Sequence, residues 1–143
     1  MSSRAYIVVS CFLLLPIAVQ AADGDNLQLG HIEFDTSIQG EAREKFLDGV
    51  MALHSFWYEK ARDLFVESQQ LEPAFGMAYW GEAMSFDNAL GVAAGIDFEA
   101  RGEAVVEKMV ALDEAGSLTW SDYERAYYQA VRERFAAGAS IND

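Results

Sequence analysis

Histidine, cysteine and basic residues are all scarce in this 143-residue chain, and each shortage removes a class of function. Cys11 is the single cysteine, so no intrachain disulfide and no Cys–x–x–Cys redox or zinc motif can form. His31 and His54 are the two histidines, and they make neither an HExxH nor an HxxxH pairing. A metal site joining His54 to Glu59 and Glu82 across the fold therefore lacks ligand spacing. The expectation for His54 is a helix-end position beside Phe56, where a cationic group is favoured. Lys and Arg number 10 against 23 Asp and Glu, a net charge of −13. That balance argues against binding nucleic acid through its phosphates and against docking on anionic lipid. It suits basic or neutral partners. A glycine-rich phosphate loop and a nucleophile elbow are also missing. The sequence thus assigns no catalytic, cofactor or metal-binding residue.

What is present begins with "MSSRAYIVVSCFLLLPIAVQAADGD". Arg4 precedes an apolar run from Ala5 to Val19, and small residues stand at Val19 and Ala21. This is the layout of a secretory signal peptide over residues 1–21, cleaved after Ala21. The run is short for the ~20 residues of a membrane span, and Pro16 interrupts it. "VVSC" also offers a lipobox-like reading of Cys11, but the strongest apolar stretch follows the cysteine instead of preceding it. Removing the leader with its one charged residue, Arg4, leaves −14. The expected location is periplasmic or secreted, with no membrane attachment afterwards.

Residues 22–40 read as an extended lead-in segment, residues 41–137 as one helical domain and residues 138–143 as a tail. "EAREKFLDGVMAL" puts Ala42, Phe46, Gly49, Val50 and Leu53 on one helical face. "EKARDLFVESQQL" repeats the period through Ala61, Leu64, Phe65, Ser68 and Leu71, and Pro73 stops it. A third helix is expected from about Phe75 to Phe86, followed by a loop in "DNALGVAAGID". Asp97 caps a fourth helix facing inward through Phe98, Val105, Met109 and Leu112, which Gly116 closes. Thr119 and Asp122 make a capping-box-like start for a fifth. Its inner face is expected to carry Tyr123, Ala126, Tyr127, Ala130 and Phe135. The chain reads as all-α, with about five helices in antiparallel pairs.

Gly49, Ala61, Phe65 and Pro73 fall in the order and spacing of the tetratricopeptide repeat, a helix–turn–helix unit of ~34 residues. The small residues admit close helix approach, Phe65 fills the gap, and Pro73 turns the chain into the next unit. Tyr79 and Ala83 match the large and small positions of that second unit. Lys45 and Asp48 stand where the repeat usually has Trp and Leu. "LGHIEFDTS", "FLDGVMALHSFWYEKARDLF", "LEPAFGMAYWGEAMSFDNAL" and "ERAYYQAV" resemble a family of secreted bacterial tetratricopeptide-repeat proteins of unsettled function. That resemblance implies a short right-handed solenoid. Where family members commonly carry Asn-His-Pro, this chain has Asn88-Ala89-Leu90 after Asp87, so any role of that histidine is absent.

Stacked helix pairs leave a groove lined by the first helix of each unit, and extended peptides lie in such grooves. By position, Lys45, Asp48, Ala52, Glu82 and Phe86 are expected near it, with a protein or peptide segment as partner and no catalysis. Phe56, Trp57, Tyr79 and Trp80 offer an aromatic shelf, or packing between repeats. Trp57 and Trp80 each neighbour another ring in sequence, so they are the ones expected to remain partly exposed. Glu82 and Asp87 are the two carboxylates considered for acid–base work, against the simpler expectation that Glu82 meets Arg62 or the Trp57 indole. Two further expectations are a homodimer through Tyr127, Val131 and Phe135 of the last helix, and a longer exported protein with its chemistry downstream of residue 143.

Overall fold

The computed structural model describes residues 30–87 and 97–136. The leader with Cys11, the loop residues 88–96 and the tail 138–143 lie outside them. The described residues form five helices and no strand: α1 (Glu41–His54), α2 (Tyr58–Leu71), α3 (Gly76–Met84), α4 (Phe98–Glu114) and α5 (Asp122–Ala136). One isolated parallel bridge pairs Phe75 with Thr119.

The local signals act where the chemistry requires. Asp97 Oδ1 accepts the Ala100 N–H at 3.0 Å and starts α4. Gly116, at φ 67°, ends it. α2 stops at Leu71, two residues before Pro73. The capping box of α5 lies two residues beyond the expected pair. Ser121 Oγ accepts the Glu124 N–H at 3.2 Å, and Glu124 Oε2 accepts the Ser121 N–H at 2.6 Å. Thr119 is otherwise engaged, because its N–H donates to the Ala74 carbonyl at 2.7 Å.

α1 packs on α2, α2 on α3, α3 on α4 and α4 on α5. The Phe65 ring is the wedge between the first three. A Cβ on Gly49 of α1 would stand 2.7 Å from its Cε1, and a Cβ on Gly81 of α3 would meet the same ring. Phe65, Phe46, Ala61 and Phe75 are fully buried in one cluster. A second cluster joins Tyr79, Ala83, Val105, Met109, Tyr128, Val131 and Phe135. At ~25 cal/mol per Å² of apolar surface, these rings carry most of the cohesion of a fold without disulfides.

α5 turns inward a face that shares Phe135, and in part Tyr127, with the expected one. Glu124, Tyr128, Val131 and Phe135 are buried, whereas Ala126 and Ala130 are exposed and Tyr123 is 55% exposed. Val131 and Phe135, expected to face a second copy, are spent inside the chain's own core. α2 also departs at one position: Leu71 is exposed, and Gln69 takes a buried place instead.

Candidate functional site

The residues expected at a groove stand in different surroundings, and of the five Asp48 lines a cavity of about 290 Å³ together with Arg43, Leu47 and Met51. Ala52 is completely buried, and Phe86 is buried with the Arg62 guanidinium 4.2 Å from its ring centroid. Lys45 Nζ pairs with Glu67 Oε2 of α2 at 2.7 Å, so its side chain runs toward the neighbouring helix. Asp48 is half-buried, and burial pushes its carboxyl above the usual value, with Lys45 opposing. Glu82 meets neither Arg62 nor Trp57 among its described bonds. Its Oε2 accepts from Gln69 Nε2 at 2.7 Å, and Lys108 Nζ reaches Gln69 Oε1 at 3.4 Å. Asp87 Oδ1 receives Arg134 Nη2 at 2.9 Å, and the same guanidinium holds both oxygens of Glu99. These bonds raise the Arg134 pKa further above its ordinary value, Glu99 contributing most. Asp87 thus joins the end of α3 to α4 and α5.

The aromatic residues divide in the same way. Tyr79 is buried and Trp80 half-buried, while Phe56 is 66% and Trp57 51% exposed at the corner between α1 and α2. His54 ends α1 beside that corner and is exposed. No group of three or more His, Cys, Asp or Glu side chains suited to a metal occurs among the described residues.

A different place gathers side chains from several elements. α1 and α5 each pack against α3 and, among the described residues, not against one another. The gap between them is filled by residues 30–40, an extended stretch that joins α1 through Gly40. Ile32, Phe34, Thr36 and Ile38 are half-buried, while His31, Glu33, Asp35, Ser37 and Gln39 are exposed, the period-two alternation of an extended chain on a surface. The Phe34 ring stands edge-on to Phe46 of α1 at 5.6 Å between centroids. It also meets Tyr127 at 5.6 Å and Tyr123 at 6.1 Å, both on α5. Tyr127 packs edge-to-face on Trp80 of α3 at 5.3 Å, so all three helices contribute to the aromatic wall.

Side chains also grip the backbone of this stretch. Arg43 Nη2 donates to the Phe34 carbonyl and Arg43 Nε to Thr36 Oγ1, both at 3.1 Å. The Ser37 N–H donates to Glu124 Oε1 at 2.8 Å. Glu124 is fully buried, so its carboxylate is out of reach of water and depends on Ser37 and Ser121 for its hydrogen bonds. The Tyr123 and Tyr127 hydroxyls lie 2.9 Å apart; that bond, and burial after it, raise the Tyr127 pKa above its usual value.

Sequence reasoning overlooked Phe34, Arg43, Tyr123 and Glu124 as site residues. The available signal is the alternation in "HIEFDTSI", where Ile32, Phe34 and Ile38 recur at even spacing within a segment otherwise read as a plain lead-in. The arrangement surrounds one ring with aromatic side chains and gives one carbonyl a cation and one N–H a carboxylate. Comparisons of the chain with protein-family models, with curated proteins and with solved structures give no match.

Proposed function

We propose that the chain is an exported scaffold of stacked helix pairs, of the tetratricopeptide type, that binds a protein or peptide segment and performs no catalysis of its own. The pairing of α1 with α2 and of α3 with α4, wedged by Phe65 between Gly49 and Gly81, supports the repeat reading. Export rests on the leader pattern at residues 1–21. The observation that carries the binding function is the extended stretch 30–40 held between α1 and α5. Helical side chains there grip a non-helical backbone through a carbonyl, an N–H and one aromatic anchor. Peptide-binding grooves work by that division of labour, with backbone bonds giving affinity and pockets giving specificity.

The test places a photo-crosslinking amino acid at Tyr123, which is exposed at the mouth of this site, in the exporting cell. A discrete cross-linked polypeptide, lost when the cross-linker is moved to exposed Ala104 on α4, is the expected result. Identical cross-linking from both positions, or none from Tyr123, overturns the reading.

A second reading, the N-terminal helical part of a longer exported enzyme or accessory protein, is favoured by one feature. Between α4 and α5 lies a cleft of about 410 Å³ whose walls include Val106, Val110 and Phe135. A further helix packed there would cover Val110, the half-buried one of the three, as successive repeats do. The mass of the exported protein in its native cell separates the two readings.

A further inference from the structure

Residues 30–40 form the outermost layer over the core, with Ile32, Phe34 and Ile38 packed against it. None of them is buried, whereas Phe46 beneath Phe34 is completely so. Among the described bonds no backbone–backbone hydrogen bond ties residues 30–39 to a helix; side chains alone hold the stretch. Its connection to α1 is Gly40, at φ 81° with open space around the position of a Cβ, and the Gly40 carbonyl accepts the Glu44 N–H at 3.1 Å. The walls are ready-made by comparison. Phe46 is locked in the core, Tyr127 is pinned by Trp80 and Tyr123, and Glu124 is fixed by its capping bonds to Ser121. An extended stretch held on helical walls by side chains, with no backbone–backbone bond to them among the described bonds, has the anatomy of a receptor with its ligand attached.

We propose that residues 30–40 are a tethered ligand, and that the partner presents an extended segment of the same pattern which exchanges with them. The pattern is aliphatic, any, aromatic, any, hydroxyl, as in Ile32, Phe34 and Thr36. The aromatic residue enters the box of Phe46, Tyr123 and Tyr127. Its carbonyl takes Arg43, and the N–H three residues on takes Glu124. This rests on the scaffold reading and narrows its partner to a class. Attachment gives the resident stretch an effective concentration of ~1 mM. A free segment of equal intrinsic affinity therefore binds poorly until the resident one is weakened.

The probe is a fluorescent synthetic peptide of residues 30–40, titrated into the full chain and into the full chain carrying Phe34→Ala. That variant removes the tether's anchor and leaves every wall residue in place. The expected outcome is binding to Phe34→Ala about tenfold tighter than to the unaltered chain, abolished when the peptide's own phenylalanine is replaced by alanine. Equal affinity for the two chains, or no binding to a Phe34→Ala chain that keeps its helical circular dichroism, overturns the proposal. So does a Phe34→Ala chain that loses its helices, because the stretch is then part of the core. If a partner cross-links at Tyr123 yet is not displaced by the peptide, the scaffold reading stands and the tether fails alone.

Discussion

The buried carboxylate of Glu124 accepts the backbone N–H of Ser37 at 2.8 Å, joining two residues 87 positions apart in the chain. One side chain therefore caps its own helix and anchors the extended stretch that crosses it. Removing it leaves two N–H groups without their acceptor.

Glu124→Ala is expected to lower stability by about 2–6 kcal/mol, since each partly buried donor left unpaired costs about 1–3 kcal/mol. Glu124→Gln keeps one acceptor oxygen and falls between the two. Urea midpoints for the three chains check the order. A Glu124→Ala chain as stable as the unaltered one contradicts the double role.

Gly81→Ala and Gly49→Ala are both expected to destabilise. Alanine gains about 1 kcal/mol of helix propensity, but overpacking against the Phe65 ring costs about 1–3 kcal/mol. The crowding is greater at Gly81 than at Gly49, so Gly81→Ala is the worse of the pair. Adding Phe65→Leu to Gly81→Ala makes room for the new methyl. Thermal unfolding of the double variant then shows less loss than the sum of the single ones.

The helices and the contact of Gly49 with Phe65 were legible because they follow from local periodicity and from the size of one ring. The site was not. Lys45, Asp48, Ala52 and Phe86 were placed by helix position alone, yet helix rotation is settled by what packs beside it, here Glu67 for Lys45 and Arg62 for Phe86. Phe135 was placed correctly on the inner face of α5, but Tyr128 and Val131 were missed because a charged Glu124 interrupts the apolar stripe they complete. The burial of that charge depends on Ser37, far away in sequence. Ser121 with Glu124 and Thr119 with Asp122 both fit a capping pattern, and only the pairing of the Thr119 N–H with Ala74 decides between them.

Acid should loosen the joint between α4 and α5 through Asp113. Its carboxylate receives Arg125 Nη1 at 2.7 Å and the Trp120 indole at 2.8 Å. The Arg125 bond is the largest cause holding its pKa below the ordinary 3.8; burial opposes it, and bonds to Trp120 and Tyr128 assist. A carboxyl with a depressed folded-state pKa stabilises the protein above its unfolded value. That stability disappears as pH falls through the folded value. The gap in urea midpoint between the unaltered chain and Asp113→Asn should stay constant above about pH 5 and close below about pH 4. A gap that does not narrow as pH falls below about 4 contradicts this role.

Phe56 occupies the place at the end of α1 that Gly116 occupies at the end of α4. Its N–H donates to Leu53 O at 3.1 Å and the next N–H, of Trp57, to Ala52 O at 2.9 Å. Gly116 and Ser117 repeat both bonds with Asp113 and Leu112 at 2.9 Å. Phe56 adopts φ 60° there and Gly116 φ 67°, a region costing a residue with a Cβ roughly 1–2 kcal/mol. Phe56 is mostly exposed and recovers little of this by packing, its ring meeting only the neighbouring Tyr58 among the described ring contacts. Phe56→Gly should therefore raise stability by about 0.5–1 kcal/mol after the entropy of the freer unfolded chain is subtracted. Gly116→Ala should lower it by a similar amount. Parallel thermal melts decide the matter: a Phe56→Gly chain less stable than its parent would mean that the exposed ring stabilises the corner by more than the strain it imposes.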